Sequence, residues 1–315
     1  METCRRCVIP LEEKLFPYLP RNSLPIRKDI GLCNSCYELE KDPNFENYPT
    51  IFMQEFEHFL TDRTKILFAY SGGLDSTVVL DKLNKECKKK GIELLCFTID
   101  HGFKGVKALD NIKRVIDFEK LNHQMIDITQ EEVNFMRVFD FYSDLFRRSV
   151  IPCGKDCNEV IDFYYKKILD SLGESVLVTG GDTPKFSPNL IRYSIFWKKS
   201  KFTVLRGGIA LGLDKRTNRT YILEKDIPWK DPGYGGYDTD CLLPGAILKK
   251  LSGSKTLSTD QLTIRLPIIL DFFSERVRWG IINKEDALNE MKSLEISDVS
   301  SYEEIIKLTK NKNGH

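Results

Sequence analysis

A run of seven mostly small and hydroxyl-bearing residues has the composition of an anion-binding loop. It follows a short apolar segment, residues 65–70, and leads into a helical pattern, residues 77–83. Two glycines let the backbone turn tightly beside an anion, and the start of a helix presents N–H groups and the positive end of its dipole. The sequence therefore predicts a pyrophosphate-binding loop, with a purely structural capped turn as the alternative. The seven residues are Ser71, Gly72, Gly73, Leu74, Asp75, Ser76 and Thr77.

Two cysteine pairs near the start of the chain have the spacing of metal ligands. Cys4 and Cys7 form one CxxC pair, and Cys33 and Cys36 form the other. Four thiolates suit a tetrahedral zinc ion, and Zn–S bonds would stabilise a proline-rich segment too small for a core of its own. We predict a structural zinc site here, with a redox-active pair as the alternative.

A third group of cysteines is more widely spread. Cys153 and Cys157 lie in a turn before a helical pattern, and Cys241 follows much later in the chain. The amino end of a helix lowers the pKa of a thiol, which suits metal ligation or nucleophilic attack. Simple packing of the three thiols is the structural alternative.

The composition is that of a globular protein with little net charge. The 315 residues are 41% hydrophobic and 30% charged, and the formal net charge is +1. A near-neutral chain argues against extended non-specific binding of nucleic acid. No apolar run approaches the roughly 20 residues of a membrane span, and the first residues lack the apolar stretch of a secretory signal. We therefore expect a cytoplasmic protein with no membrane partner.

Alternating apolar and helical segments indicate how the loop is positioned. Such alternation predicts a doubly wound parallel α/β sheet, in which ligands bind at the carboxyl ends of the strands. We divide the chain into a zinc-binding module (1–50), an α/β domain (51–250) and a helical C-terminal region (251–315). Strand patterns cover residues 65–70, 94–100, 123–128 and 175–179, and helical patterns cover about 107–120, 131–148 and 157–171.

A basic stretch interleaved with aromatic residues follows the fourth strand. Between residues 185 and 216, eight lysines and arginines accompany a single acid, Asp214. This pattern is typical of a face that binds RNA or phosphate. A solvated surface whose aromatic residues turn inward is an equally good interpretation.

The glycine loop resembles the Ser-Gly-Gly-x-Asp-Ser signature of the PP-loop ATP pyrophosphatases, also called the adenine nucleotide alpha hydrolase-like superfamily. The resemblance spans about residues 65–182 and includes Asp100, His101 and Gly102 at the end of the second strand. Members cleave ATP between the α and β phosphates, adenylate a substrate oxygen, and let a nitrogen or sulfur nucleophile expel AMP. The resemblance implies the same AMP-forming chemistry here, with ATP and Mg²⁺ as cofactors.

The resemblance also implies roles by position. The loop would hold the pyrophosphate, Asp75 would help to seat Mg²⁺, and Gly180 would close the nucleotide pocket. The residues implied to lie beside the nucleotide are Ala69, Tyr70, Ser71, Gly72, Gly73, Leu74, Asp75, Ser76, Thr77, Thr98, Ile99, Asp100, His101 and Gly180.

The spread cysteines are similar to those of the iron–sulfur branch of this superfamily, the tRNA thiolation enzymes. On that resemblance Cys153, Cys157 and Cys241 ligate a 4Fe-4S cluster whose open iron carries the incoming sulfur, with relay of a persulfide as the alternative. Lys155 and Asp182 would orient the substrate. The implied partners are a tRNA or small-molecule substrate and a sulfur-donor protein or sulfide, and we allow for a homodimer.

The N-terminal module supports a second resemblance, to the N-acetyl sugar amidotransferases of the same superfamily. It rests on residues 4–10 and 31–36, together with 100–103, 111–112, 278–280 and 284–288. Those enzymes turn an acetamido group into an acetamidino group with ammonia from a glutaminase partner. We rank sulfur transfer first and this reaction second. A nucleotide-sensing or RNA-docking protein without turnover is the third hypothesis.

Overall fold

The computed structural model describes residues 2–11, 25–131, 156–213, 215–232 and 267–292. The chain divides into two compact units. The first, which we call the cysteine unit, comprises residues 1–45, 133–157 and 233–315. The second, the sheet unit, comprises residues 46–132 and 158–232.

Ten strands and nine helices are described, besides short 3-10 turns. The strands are β1 (Pro25–Arg27), β2 (Leu32–Cys33), β3 (Lys65–Ala69), β4 (Glu93–Asp100), β5 (His123–Asp127), β6 (Val176–Thr179), β7 (Lys185–Ser187), β8 (Arg192–Ser194), β9 (Phe196–Lys198) and β10 (Thr203–Arg206). The helices are α1 (Asn34–Lys41), α2 (Tyr48–Leu60), α3 (Leu74–Lys90), α4 (Val106–Glu119), α5 (Asp156–Ser171), α6 (Gly207–Ala210), α7 (Lys215–Glu224), α8 (Pro267–Arg278) and α9 (Lys284–Lys292).

The sheet unit is built on a six-stranded sheet in the order β5-β4-β3-β6-β10-β9. The first five strands are parallel to their neighbours, and β9 joins the edge antiparallel to β10. The predicted α/β class with a mainly parallel sheet is confirmed. The antiparallel edge strand was not predicted, because its three residues lie inside the basic stretch and show no apolar run.

The two central strands are apolar because helices cover both faces of a parallel sheet. In β3 the side chains of Ile66, Leu67 and Phe68 are all buried, without the alternation of a half-exposed strand. After β3 the chain moves outward through β4 and β5, and it then returns to β6 on the other side of β3. The carboxyl ends of β3 and β6 therefore form the point where strand order reverses, which is where open α/β sheets bind ligands.

The cysteine unit has a core of its own. It contains the four N-terminal cysteines, Val8, Ile9 and Leu32, together with Leu270 and Phe273 of α8 and Ala287 and Met291 of α9. The antiparallel pair β1–β2 precedes α1. The predicted C-terminal helices are confirmed, and they share one core with the N-terminal cysteine segment.

The predicted helix over residues 131–148 lies almost entirely outside the described residues. The helix predicted over 157–171 corresponds to α5, and the fourth strand is one residue shorter than predicted. Within the described part of the chain, no helix is both long enough and apolar enough to cross a bilayer.

Candidate nucleotide and metal sites

The glycine loop follows β3 directly and is fixed by a buried tyrosine. The Tyr70 hydroxyl lies 2.8 Å from the Thr77 hydroxyl, which donates to the Gly73 carbonyl at 2.8 Å. Burial raises the pKa of Tyr70 well above its ordinary value, so the phenol keeps its proton and donates. Thr77 is fully buried, and its hydroxyl therefore holds the loop against the start of α3.

Two serine hydroxyls close the other side of the loop. Ser71 Oγ lies 2.8 Å from Ser76 Oγ and accepts the Gly73 N–H at 3.2 Å. Ser76 Oγ donates to the Gly73 carbonyl at 3.0 Å. These bonds hold the first turn of α3, whose leading N–H groups have no acceptor within the helix, directly beside the loop.

Two of the positions where close contacts require glycine lie at the loop. Gly72 has a φ of +89°, and a Cβ there would lie 2.6 Å from the side chain of Ile112 on α4. A Cβ on Gly180 would lie 2.7 Å from the Cα of Ser76. The turn after β6 therefore touches the start of α3, so Gly180 lies against the loop, and its role in closing the nucleotide pocket stays a prediction.

Two side chains from other parts of the sheet unit bind carbonyl groups of the loop. Lys104, which follows β4, donates from Nζ to the Ser71 carbonyl at 2.9 Å. Trp229 donates from Nε1 to the Gly72 carbonyl at 2.9 Å. The segment that carries Trp229 is held by Asn111, which exchanges hydrogen bonds of 2.6 and 2.9 Å with the Lys230 backbone.

Asp75 lies in the first turn of α3 with one carboxylate oxygen already oriented. The buried side chain of Asn218 on α7 donates to Asp75 Oδ1 at 2.6 Å. A carboxylate is a ligand that Mg²⁺ prefers, usually together with substrate phosphates. The donor set at the loop therefore fits a magnesium ion shared between Asp75 and bound phosphate.

The end of β4 is tied to the end of β3. The Thr98 hydroxyl donates to the Tyr70 carbonyl at 2.7 Å, and Ile99 and Ala69 are buried in the sheet. Asp100 accepts the Gly102 N–H at 3.0 Å and thus shapes the turn that follows.

His101, in the same turn, is buried. Its Nδ1 accepts the Phe103 N–H at 3.1 Å, which leaves the other ring nitrogen, Nε2, to carry the proton of the neutral form. The residues predicted to lie beside the adenosine thus belong to the ends of β3 and β4 and to the turn after β4, and their role stays a prediction.

The end of β6 leads into a tightly packed turn. Asp182 and Thr183 are buried, and Arg206 at the end of β10 donates to Thr183 Oγ1 at 3.3 Å. The Gly181 carbonyl accepts the Ile209 N–H at 3.2 Å. Asp182, predicted to orient the substrate, therefore lies at the same sheet edge as the loop.

The four N-terminal cysteines meet in the cysteine unit. Their Sγ atoms lie within 4.8 Å of one another, and all four residues are buried and free of disulfides. The Cys7 and Cys33 sulfurs are 3.6 Å apart. Zn–S bonds of about 2.3 Å in a tetrahedron place sulfurs roughly 3.8 Å apart, so the arrangement fits a tetrahedral ion.

Hydrogen bonds shift the pKa values of these thiols in opposite directions. Bonds from Cys33, Cys36 and Cys7 lower the pKa of the Cys4 thiol, and the Cys33 backbone N–H donates to Cys4 Sγ at 3.3 Å. The bond with Cys33 raises the pKa of Cys36, because the last thiol would ionise beside existing thiolates. A divalent cation removes this penalty, since metal binding displaces the thiol protons.

Two cations from the C-terminal helices lie beside this cluster. Arg278 is 5% exposed, and its Nη1 is 2.9 Å from Glu275 Oε1. Burial opposes its charge, but Glu275 and the thiols of Cys7, Cys36 and Cys33 raise the pKa of Arg278. Lys284 donates to the Cys4 carbonyl at 2.7 Å. Four thiolates around a divalent ion carry a net charge of about −2, which buried Arg278 would offset.

The predicted iron–sulfur residues lie at the limit of the described structure. Cys153, Lys155 and Cys241 fall outside the described residues, and only the backbone of Cys157 is described, in the first turn of α5. Their roles stay predictions.

Part of the basic stretch is engaged within the sheet unit. Lys199 pairs with Asp162 at 2.7 Å and lies 3.7 Å from the ring centre of Trp197. Arg192 pairs with Glu55 at 2.8 Å. Of the aromatic residues, Phe202 is buried whereas Phe186 is 53% exposed.

Sequence reasoning missed several residues that hold the two sites. Lys104, Trp229 and Asn218 reach the loop from three separate segments, and Arg278 and Lys284 reach the cysteines from the opposite end of the chain. Only the order of elements could have suggested Lys104, because the turn after β4 lies beside the turn after β3 in a parallel sheet.

Comparisons with known proteins give one family match, which includes the glycine loop, and one similar sequence. The family model described as the PP-loop domain matches residues 48–137. An uncharacterised protein from Methanocaldococcus jannaschii is 25% identical over 281 residues, which cover 87% of this chain and 90% of that protein.

Two solved structures are also similar. The phosphoadenylyl-sulfate reductase from Candida auris is 15% identical, with 59% of this chain and 87% of that chain covered and a TM-score of 0.37. The U34-tRNA thiolase NcsA from Methanococcus maripaludis, solved with its 4Fe-4S cluster, is 14% identical, with 58% of this chain and 55% of that chain covered and a TM-score of 0.29. The family match and the loop that follows β3 together identify a PP-loop domain within residues 48–137 of this chain.

Proposed function

We propose that this protein is an ATP-dependent enzyme that adenylates a carbonyl oxygen of its substrate and replaces that oxygen with sulfur. ATP is cleaved between its α and β phosphates, so the products besides the thiolated substrate are AMP and pyrophosphate. The substrate is a tRNA base or a small molecule with an amide-like carbonyl.

One observation carries the adenylation step. The glycine loop lies at the strand-order reversal inside the PP-loop match, with Asp75 at the first turn of α3 and Gly180 in contact with Ser76. Helix N–H groups and glycine backbone suit the pyrophosphate portion of ATP. When Mg²⁺ is bound, it neutralises the charge that accumulates on the departing pyrophosphate.

Adenylation and the replacement of oxygen by sulfide both balance without an added oxidant. The substrate oxygen attacks the α phosphorus of ATP, a P–O bond forms, and pyrophosphate leaves. Sulfide then attacks the activated carbon, and AMP departs with the former carbonyl oxygen. An amide oxygen is a poor leaving group, and conversion to an adenylate makes its departure easy.

The predicted cysteines supply the sulfur side of the proposal. Cys153, Cys157 and Cys241 would hold a 4Fe-4S cluster that presents sulfide. Alternatively, one of these cysteines would receive a persulfide from a sulfur-donor protein and attack the activated carbon with its outer sulfur. A second cysteine would then break the S–S bond, and an external thiol reductant would reduce the resulting disulfide. Lys155 and Asp182 would orient the substrate carbonyl. The four N-terminal cysteines would bind zinc as a structural ion.

A second candidate is transfer of nitrogen to an N-acetyl sugar. It is favoured by the cysteine unit, where three of the segments that resemble the amidotransferases, residues 4–10, 31–36 and 284–288, contribute to one core. Residues 4–10 contact residues of α8 and α9, with Lys284 bound to the Cys4 carbonyl. In this reaction ammonia from a glutaminase partner takes the place of sulfide.

Product analysis under anaerobic conditions tests the proposal. The protein is incubated with Mg·ATP, a panel of tRNA, nucleobase and acetamido-sugar substrates, and either sulfide or ammonium. AMP and pyrophosphate in equal amounts with sulfide support thiolation, and the same products only with ammonium favour the second candidate. ATP binding without AMP release from any substrate contradicts both and favours a nucleotide sensor.

Metal analysis separates the same alternatives. Iron that is lost in Cys153→Ala, while zinc is retained, supports the cluster. A protein that contains zinc alone and uses ammonium contradicts sulfur transfer through a cluster.

A further inference from the structure

We propose that Lys104 is the cation that binds the pyrophosphate portion of the nucleotide at the glycine loop. The inference rests on the proposed function and adds a specific phosphate-binding side chain to it. Lys104 belongs to the turn after β4, outside the Ser71–Thr77 motif.

Its position follows from the sheet topology. Because β3 and β4 are parallel neighbours, the turns after them lie at the same edge of the sheet. Lys104 Nζ is 2.9 Å from the carbonyl oxygen of Ser71, the first residue of the loop. The side chain thus crosses from one strand end to the next and ends at the anion-binding loop.

The loop residues carry a negative side chain and no positive one, so a cation from another segment would favour binding of an anion. Among residues 69–77 the one charged side chain is that of Asp75, which is negative. Within residues 69–77, a pyrophosphate would meet amides, hydroxyls and one carboxylate but no positive side chain. Lys104 provides that charge and is only 4% exposed.

Burial of an ammonium group is costly unless anions or strong acceptors compensate for the lost water. The Lys104 ammonium donates a hydrogen bond to the Ser71 carbonyl, which places the positive charge at the first residue of the loop. A bound phosphate adds an anionic acceptor, and charge-assisted bonds of this kind are stronger than neutral ones.

The competing explanation is that Lys104 merely anchors the Ser71 carbonyl. Lys104→Gln separates the two roles, because its amide still offers N–H donors but the charge is gone. Lys104→Arg keeps the charge. Lys65→Gln is the matched control, since Lys65 Nζ also donates to a backbone carbonyl, that of Leu172 at 2.8 Å. Lys65 is the first residue of β3, so it lies at the end of the strand opposite to the glycine loop.

Calorimetric titration of the full chain with inorganic pyrophosphate, and separately with adenosine, gives the test. We expect Lys104→Gln to weaken pyrophosphate binding by about tenfold or more, the effect of losing a hydrogen bond to a charged group. Adenosine binding should stay unchanged, and Lys65→Gln should bind both as the wild type does. Circular dichroism verifies folding.

Four results would overturn the inference. Equal pyrophosphate affinity in Lys104→Gln and the wild type would show that Lys104 only anchors the Ser71 carbonyl. An equal loss of affinity for adenosine and for pyrophosphate would indicate a distorted pocket. If Lys104→Gln does not fold, Lys104→Arg decides: pyrophosphate affinity near that of the wild type supports a role for charge, and loss of binding contradicts it. Absence of pyrophosphate binding in the wild type would overturn the proposed function as well.

Discussion

Gly180 lies where the turn after β6 meets the first turn of α3. Because the added Cβ of Gly180→Ala would lie 2.7 Å from backbone of Ser76, either the helix start or the turn must move. We expect unfolding to become easier by roughly 1–3 kcal/mol, the usual cost of overpacking. We also expect ATP affinity, measured by calorimetry, to fall by about tenfold or more, which corresponds to roughly 1.4 kcal/mol.

Gly173→Ala is the control for that variant. Gly173 has a φ of +67° with no atom near its missing Cβ, so the substitution strains the backbone without touching the loop. It should lower stability by a similar amount and leave ATP affinity unchanged. Equal ATP affinity in Gly180→Ala and Gly173→Ala would show that the contact with Ser76 does not shape the site.

The stability of the folded chain depends on pH through His123. Burial lowers the pKa of His123 below its ordinary 6.5, and its Nε2 lies 2.9 Å from the Thr98 hydroxyl oxygen. The unfolded chain therefore binds a proton more readily than the folded one, and stability falls as pH drops from 6.5 toward the lowered value.

Denaturant unfolding at pH 7.5 and pH 5.5 measures the effect. The loss of stability between the two pH values should be smaller in His123→Gln than in the wild type, because the variant lacks the group whose pKa is lowered. The other titrating groups are the same in both proteins, so their effects cancel in the comparison. An identical loss in the two proteins would contradict a lowered pKa at His123.

At the scale of elements, the segment after α7 acts as an anchor for the loop. Trp229→Phe removes the N–H that binds the Gly72 carbonyl. We expect ATP affinity to fall by about threefold to tenfold, as for loss of one neutral hydrogen bond, with the fold retained. Trp197→Phe is the control, because Trp197 contacts Lys199 and Lys185 instead. Equal ATP affinities in Trp229→Phe and Trp197→Phe would contradict the role of Trp229 in anchoring the loop.

The strands and the loop could be predicted because their signals are local. An uninterrupted apolar run such as residues 66–69 marks a central strand of a parallel sheet, and the glycines mark the turn after it. The edge strand β9 is held by pairing with β10 rather than by its own pattern, so no local signal marks it.

The supporting residues could not be predicted for a similar reason. Lys104 and Trp229 act through contacts with Ser71 and Gly72 that no spacing in the sequence reveals. Arg278 lies far along the chain from the cysteines it neighbours, and only the shared core of the cysteine unit places it there.

At the scale of the whole molecule, the cysteine unit should depend on its metal. Its core joins residues near the start of the chain to α8 and α9 around four thiols, and metal-ligand bonds contribute directly to the folding of such small units. We expect one zinc ion per chain by elemental analysis. Cys33→Ser should lose this zinc together with helical signal in circular dichroism.

Cys87→Ser is the matched control for metal loss. Cys87 is also buried, but it lies on α3 in the sheet unit, and burial raises the pKa of its thiol to about 11. This variant should keep its zinc. Full zinc content in Cys33→Ser would contradict the assignment of the four cysteines as ligands.

The central claim is that the glycine loop binds the phosphates that ATP loses as pyrophosphate. Titration of the wild-type protein with Mg·ATP, with and without saturating pyrophosphate, tests it most directly. We expect one ATP bound per chain and full competition between ATP and pyrophosphate. ATP binding that is unaffected by pyrophosphate, or no ATP binding at all, would contradict it.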